Sequence, residues 1–163
     1  MAQVENVYLP DDRFYDPQEH LWAKVEADGR VRVGIDELGR WAAGTIAFVD
    51  LHAPGKRLSR KGSTFGTLEA DKFVGALRTP IRGVVTEINQ KVLEHPTLVN
   101  RDPYGEGWFV IIAPTHGDED LQLLVSGEEA IVRYLQEKIA EYRERGILPD
   151  SAIEAVPPST GSG

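Results

Sequence analysis

Five short β-type segments lie close together in the middle of this chain, and turn-forming residues separate each from the next. Between Thr45 and Pro114 they read "TIAFVDL", "STFGTLEA", "FVGALRT", "GVVTEIN" and "WFVIIA". Turn clusters such as Ala53-Pro54-Gly55 and Asp102-Pro103-Tyr104-Gly105 interrupt them. Many short strands at this spacing favour a sandwich or a flattened barrel over alternating βαβ units. The sequence therefore predicts a mainly β protein.

A β-hairpin and a short helix are predicted ahead of this region. Apolar residues alternate on both sides of Asp28-Gly29, a pair that forms hairpin turns because glycine accepts positive φ. The alternating positions are Leu21, Ala23, Val25, Val31, Val33 and Ile35. The next segment, "DELGRWAAG", predicts a helix over Asp36–Ala43 that closes at Gly44.

A longer helix is predicted near the C-terminus, from about Gly127 to Arg145, because apolar residues recur there at helical spacing. Ser126 and Glu129 fit a capping box, and Gly146 followed by Pro149 fits a stop signal. We therefore expect one domain over residues 1–149 and a flexible C-terminal tail over 150–163.

Composition excludes several classes of function. The formal net charge of −8 disfavours binding to nucleic acid, because the protein's field repels phosphate backbones. The absence of cysteine excludes disulfides, thiolate zinc sites, iron–sulfur clusters and cysteine nucleophiles. No apolar run is long enough for a membrane span or a signal peptide, so we expect a cytoplasmic protein with no membrane contact.

No catalytic or metal site can be assembled from the sequence. The histidines are scattered without metal-ligand spacing, and we interpret them as structural or surface residues; they are His20, His52, His95 and His116. The glycine spacings match neither a P-loop nor a dinucleotide fingerprint. Ser59 and Ser63 lack a nucleophile-elbow context. The chain is therefore not expected to be an enzyme on its own.

Lys72 stands out because the segments on both sides of it are predicted strands. This places the lysine at the tip of a hairpin. Most exposed lysines are only solvated charges. In "EADKF", however, Glu69 and Asp71 flank a lysine with small or apolar neighbours, which gives a modifying enzyme a shaped target.

Several motifs together resemble the glycine cleavage H protein family of small lipoyl carriers. "NRDPYGEGW" is similar to the family's most characteristic stretch, and "QEHLW" and "VGIDELG" are similar to its N-terminal hairpin and following helix. "TPIRGVVTEIN" matches the segment after the modified lysine. The resemblance runs from about Tyr15 to the C-terminal helix. It implies a barrel-sandwich hybrid fold of the lipoyl/biotinyl type, with the two helices described above.

The resemblance also implies that Lys72 is the covalent attachment site for lipoate. The lipoyl-lysine would act as a swinging arm whose two sulfurs carry intermediates and reducing equivalents between partner enzymes. The implied partners are a lipoate ligase or lipoyl transferase, dihydrolipoyl dehydrogenase, and the enzymes of one pathway. Biotin uses a similar hairpin, but its lysine is typically flanked by methionines, and the only methionine here is Met1.

The residues beside Lys72 depart from the glycine cleavage pattern Glu-Ser-x-Lys-Ala. Glu69 is kept, whereas Ala70 replaces the serine and Phe73 the alanine. These departures favour a related branch, the lipoate-binding proteins of the sulfur-oxidising, heterodisulfide-reductase-like system, with its complex as the partner. The alternatives are a glycine cleavage H protein that carries the aminomethyl group with the glycine cleavage enzymes, and an unmodified interaction module of the same fold.

Overall fold

The computed structural model describes residues 2–4 and 6–148, with side chains from residue 6 onward. The predicted tail over 150–163 lies outside the described residues. The first strands are β1 (Ala2–Val4), β2 (Val7–Leu9), β3 (Phe14–Asp16), β4 (Leu21–Val25), β5 (Val31–Ile35) and β6 (Ile46–Leu51). The later strands are β7 (Arg57–Leu58), β8 (Thr64–Ala70), β9 (Val74–Arg78), β10 (Gly83–Ile88) and β11 (Val110–Pro114). The helices are α1 (Glu37–Ala43), α2 (Gln90–Glu94), α3 (Leu98–Arg101), α4 (Gly117–Leu121) and α5 (Glu128–Arg145).

The described strands form two main sheets and a small ribbon. The larger sheet has the order β3-β4-β5-β11-β10-β7, and the smaller one has the order β6-β8-β9. Strands β1 and β2 pair separately. All of these pairings are antiparallel. The mainly β architecture with a C-terminal helix is the barrel-sandwich fold that the sequence predicts.

The N-terminal hairpin and the first helix follow the predicted boundaries closely. β4 and β5 pair from Leu21 with Ile35 to Val25 with Val31, and Gly29 turns the chain with a φ of 90°. The side chain of Asp36 caps α1 by accepting from the Gly39 amide, which satisfies one of the free N–H groups of the first turn.

Two apolar clusters hold the sheets and helices together. The first joins both main sheets, where the rings of Phe65 and Phe109 lie 6.2 Å apart. The second lies under α5, where Ile131 and Leu135 pack with Trp22 and other fully buried side chains. Because α5 closes the second cluster, the C-terminal helix is part of the core rather than an appendage.

The predicted capping box at the start of α5 is wrong. The N-cap is Gly127, with a φ of 85°, and no side chain caps the helix there. Ser126 therefore lies one residue too early to act as the cap. The predicted stop is confirmed, since Gly146 adopts a φ of 67° and the Ile147 amide donates to the Tyr142 carbonyl at 2.9 Å.

Several short elements have no clear signal in the sequence. β1, β2, β3 and β7 are only two or three residues long, too short for an alternating pattern to stand out. The segment "NQKVLEHPTLVN", ambiguous between a loop and a helical turn, contains α2 and most of α3. None of the described helices is both long enough and apolar enough to cross a bilayer.

A buried ion pair joins α4 to the start of β10. Asp120 is 1% exposed and accepts from the Arg82 amide at 2.8 Å and from the Arg82 guanidinium at 2.8 Å. Burial opposes ionisation of Asp120, but these hydrogen bonds outweigh it and lower the pKa of Asp120 below its usual 3.8. The ionised carboxylate therefore stabilises the folded state above pH 3.8, and this contribution is lost as the pH falls through the folded-state pKa.

We expect Asp120→Asn to lower the free energy of unfolding by about 2 kcal/mol at pH 7, because it weakens charge-assisted hydrogen bonds. The difference from the parent should shrink below pH 4, where the parent's carboxylate takes up its proton. Urea unfolding at pH 7 and at pH 3 measures both values. Asp118→Asn, an exposed aspartate in the same helix, is the control. An equal loss for the two variants would contradict the role of the pair.

Candidate functional site

Lys72 lies at the turn between β8 and β9, where the sequence predicts it. The last pair of the hairpin is Glu69 with Val74, and the Ala70 amide closes the turn by donating to the Phe73 carbonyl at 2.8 Å. Lys72 is exposed, and its ammonium has no hydrogen bond or ion pair with the described residues. The amine is therefore available to a modifying enzyme.

The backbone of this turn is fixed to the end of α1. The Lys72 amide donates to the Ala43 carbonyl at 2.9 Å, and the Asp71 amide donates to the Thr45 carbonyl at 3.1 Å. In return, the Asp71 carboxylate accepts from the Thr45 amide at 3.2 Å. Three hydrogen bonds thus join the turn to a segment far away in sequence, so the lysine projects from a defined backbone position.

The side chain of Asn100 stabilises the segment after α1 to which the turn at Lys72 is hydrogen-bonded. Its side-chain amide donates to the Gly44 carbonyl at 2.9 Å, and its oxygen accepts from the Ile46 amide at 2.8 Å. Asn100 is the first residue of the motif "NRDPYGEGW", and these two hydrogen bonds give its side chain a structural role. The sequence alone gives no sign that it supports Lys72.

We expect Asn100→Ala to loosen this support. Two backbone groups, Gly44 C=O and Ile46 N–H, lose their partner, at a cost of about 2 kcal/mol. Hydrogen exchange at the Ile46 amide should then become about 10 to 30 times faster, provided that local opening controls it. Thr97→Ala is the control, since the Thr97 side chain makes no capping hydrogen bond. Unchanged exchange in Asn100→Ala would show that other contacts hold the segment.

Three glycines lie around the hairpin where a side chain would be crowded. A Cβ atom on Gly66 would lie 2.2 Å from the carbonyl oxygen of Asp50, and one on Gly83 would lie 2.3 Å from that of Ala113. A Cβ on Gly75 would lie 2.9 Å from the Phe73 ring. The neighbouring backbones therefore approach more closely than a side chain would allow.

A groove of about 530 Å³ begins at Lys72 and runs between the β8–β9 hairpin and the end of α5. Its apolar lining includes Leu21, Ile35, Leu68, Phe73, Leu77 and Ile147. Its polar lining includes Glu19, His20, Arg78, Tyr142 and Arg145. A groove with an apolar lining and a few polar groups is suited to a chain-like ligand with a polar or polarisable end.

A directed hydrogen-bond chain lies behind one side of the groove. Tyr134 donates its only proton to the buried Asp36 carboxylate at 2.8 Å, so its oxygen accepts from His20 Nδ1, 2.7 Å away. This assigns the proton to Nδ1 and leaves His20 Nε2 to accept from the Tyr142 hydroxyl. His20 thus joins the N-terminal hairpin to α5. It is the structural histidine that the sequence predicts, while the other three are exposed.

Burial changes the acidity of two groups in the groove. It raises the pKa of Glu19, and the nearby Asp16 carboxylate adds to this, while Arg78 and His20 act in the opposite direction. Burial also raises the pKa of Tyr142, with further contributions from Glu141 and Asp36. Tyr142 therefore stays protonated at neutral pH, and the negative charge of Glu19 is disfavoured.

Apolar side chains are exposed around the turn. Phe48, Phe73 and Val74 are 52%, 43% and 76% exposed, and strand register places Phe48 and Val74 on either side of Glu69. Such a surface beside a reactive amine is available for contact with another protein.

An exposed amine beside a groove with an apolar lining is suited to covalent attachment of a chain-like group. Among the described residues, no group of three or more histidines, aspartates or glutamates could hold a metal ion. Sequence reasoning identified Lys72 but not Glu19, Arg78 or Tyr142, which come from separate segments and meet only in the groove. Of these, only Tyr142 had a signal, as part of the apolar face of α5.

Sequence comparison gives one family and many relatives. The profile described as "Glycine cleavage H-protein" matches residues 13–138. The chain is 41% identical over 145 residues to "Glycine cleavage system H protein 2" of Aquifex aeolicus, covering 89% of this chain and 86% of the relative. It is 40% identical over 129 residues to "Probable glycine cleavage system H protein 3" of Sulfurisphaera tokodaii, covering 79% and 90%.

Structural comparison agrees with the sequence relatives. A crystal structure of a glycine cleavage system H protein from Mycobacterium marinum superposes with a TM-score of 0.61 and 35% sequence identity. The superposition covers 66% of this chain and 87% of that one.

Proposed function

Because this chain belongs to the glycine cleavage H-protein family, whose members are lipoyl carriers rather than catalysts and bear lipoate on a lysine, we propose that Lys72 is the lipoylated residue. The main observation behind this proposal is the position of Lys72. Its amine has no partner among the described residues and lies at a hairpin tip, beside a groove with an apolar lining. The amide bond removes the lysine charge and leaves an arm that ends in a dithiolane. The protein would present this arm to its partner enzymes in turn.

The groove gives the arm a resting place. Its lining begins at Lys72, and Phe73, Leu77 and Ile147 provide an apolar surface for the methylene chain. An arm lying there would be shielded from side reactions between transfers. The exposed Phe48 and Val74 beside Lys72 would contact the enzyme that draws the arm out.

The relatives' names support the aminomethyl group of glycine as the cargo, with the glycine cleavage enzymes as partners. In this cycle the sulfurs of the arm accept the group and are reoxidised by dihydrolipoyl dehydrogenase. The proposal keeps the carrier in the cytoplasm, the compartment that the sequence predicts.

A second cargo is sulfur, delivered to a heterodisulfide-reductase-like complex. The observation that favours it is local: Ala70 and Phe73 replace the serine and alanine of the glycine cleavage pattern, and Phe73 lines the groove. These residues lie where a partner enzyme and the attaching enzyme make contact, so a change there is consistent with different partners.

The first experiment tests attachment. The protein is incubated with lipoate, ATP and a lipoate ligase, or with a lipoyl transferase and its donor, and the intact mass is followed by peptide mapping. A lipoyl mass gain at Lys72 is expected. A gain at another lysine would overturn Lys72 as the attachment site, and no gain with any attaching enzyme would support the unmodified interaction module.

The second experiment separates the two cargoes. The lipoylated protein is assayed with the glycine cleavage enzymes for glycine decarboxylation, and in parallel with the heterodisulfide-reductase-like complex for sulfur-dependent reduction of its electron acceptor. A double variant, Ala70→Ser with Phe73→Ala, restores the glycine cleavage pattern. Turnover of the parent with the glycine enzymes supports the aminomethyl cargo. Turnover that only the double variant shows would indicate that the parent serves the other complex.

A further inference from the structure

The groove beside Lys72 carries positive charge in a protein whose net charge is −8. Arg78 and Arg145 line it, and Glu19 is the one carboxylate among the lining residues. Burial raises the pKa of Glu19, and the nearby Arg78 acts in the opposite direction. Acylation of Lys72 would remove that cation but leave both guanidinium groups. The charge of the groove is thus opposite to that of the molecule.

Of the two arginines that line the groove, Arg78 is the one whose guanidinium donors are unused among the described residues. Its guanidinium has no hydrogen bond or ion pair within residues 6–148, although it acts on Glu19 electrostatically. Arg145, in contrast, is paired with Glu141 at 3.3 Å. Arg78 is exposed where it lines the groove, so its unpaired guanidinium can donate to an anion that lies along the neighbouring apolar lining, and salt should weaken this attraction.

The distance along the hairpin matches the length of a lipoyl-lysine arm. Arg78 is the last residue of β9, and at about 3.3 Å per residue it lies about 13 Å from Val74 at the start of that strand. The arm has about eleven single bonds of roughly 1.5 Å between the lysine Cα and the ring, which span about 14 Å when extended. Lys72 lies two residues before Val74, so the sulfurs of an extended arm come within reach of the Arg78 side chain rather than of its backbone.

We propose that the groove binds the reduced arm with one of its thiols ionised, and that Arg78 is the residue that selects this form. The proposal rests on lipoylation of Lys72. In the step that it describes, an S–H bond breaks, the proton goes to solvent and the electron pair stays on sulfur, with no change in oxidation state. The thiolate is the reactive form of a thiol, so the carrier itself prepares the arm for its next transfer.

Reduced lipoylated protein provides a clean test, because the chain has no cysteine and the arm supplies the only thiols. The protein is lipoylated at Lys72, reduced with a phosphine and alkylated with iodoacetamide across a range of pH. The alkylation rate at the Lys72 peptide is then measured by mass spectrometry. The midpoint of the rate profile should lie below that of free dihydrolipoamide, and 1 M salt should raise it.

Arg78→Gln should raise this midpoint by about half a unit to one unit, which lowers the alkylation rate at pH 7 about three- to tenfold. Arg78→Lys should keep the parent midpoint, and Arg60→Gln, an exposed arginine outside the groove, is the matched control. A midpoint in Arg78→Gln equal to that of Arg60→Gln would overturn this inference while leaving the carrier function intact. Absence of lipoate at Lys72 would overturn both.

Discussion

A Lys72→Arg variant will fold like the parent and gain no lipoyl mass with any attaching enzyme. Arginine keeps the positive charge, but its guanidinium stays protonated and is a poor nucleophile for acyl transfer. The Lys72 side chain is exposed and makes no hydrogen bond or ion pair with the described residues, so the free energy of unfolding should change by less than 0.5 kcal/mol, about the limit for a surface substitution. Turnover of any pathway that depends on the arm should fall to background. Intact mass, unfolding and turnover together measure this result.

Lys61→Arg is the matched control for that variant, because Lys61 is another exposed lysine in a turn. It should take up lipoate at the parent rate. Turnover of Lys72→Arg above background would exclude Lys72 as the attachment point. Loss of lipoylation in Lys61→Arg as well would show that the loss in Lys72→Arg is not specific to the Lys72 amine.

An Asp36→Ala variant will lose about 3 kcal/mol of unfolding free energy, which is a large fraction of the stability of a small domain. Asp36 is fully buried and accepts hydrogen bonds from the Gly39 amide at 2.9 Å and from the Tyr134 hydroxyl at 2.8 Å. Alanine removes the cap of α1, worth about 1 kcal/mol. It also leaves the Tyr134 hydroxyl without its acceptor inside the core, at about 1–3 kcal/mol.

Urea unfolding at pH 7 measures this loss, with Asp28→Ala as the control. Asp28 is an exposed aspartate that also accepts hydrogen bonds, from Arg30 in the hairpin turn. The Asp28→Ala variant should lose well under 1 kcal/mol of unfolding free energy, since water replaces the lost partner. Similar losses for Asp36→Ala and Asp28→Ala would mean that the buried hydrogen-bond chain adds little to stability.

The sequence predicts those elements whose pattern repeats over five or more residues. The alternation around Gly29 specifies β4 and β5, and the helical spacing of Ile131, Leu135 and Ile139 specifies α5. Ribbons of three residues contain too few alternations to identify, and β1 and β2 pair only with each other. The start of α5 is predicted to within one residue, but its cap is not, because Gly127 takes the N-cap position with a positive φ, which a search for serine caps does not detect.

The parts of the candidate site also differ in whether local sequence predicts them. Lys72 could be found because a hairpin tip is a local feature of the chain. The groove could not, because Glu19 precedes β4, Arg78 ends β9 and Tyr142 lies in the last turns of α5. Only the packing of α5 against the N-terminal hairpin, through His20, brings these side chains to one place. The two uses of Asn100 likewise depend on a contact between residues 54 and 56 positions apart.

The hydrogen bonds that hold the turn at Lys72 to the end of α1 have a kinetic meaning for a carrier. With lipoate on Lys72, as proposed, these hydrogen bonds would confine the search by the dithiolane largely to side-chain torsions, within about 14 Å of the turn. Each partner that docks beside the turn would find the cargo at a high effective concentration, set by the length of the arm and independent of how dilute the carrier is. A softer turn would enlarge the search volume and slow every encounter, so rigidity in the backbone is what makes a mobile arm efficient.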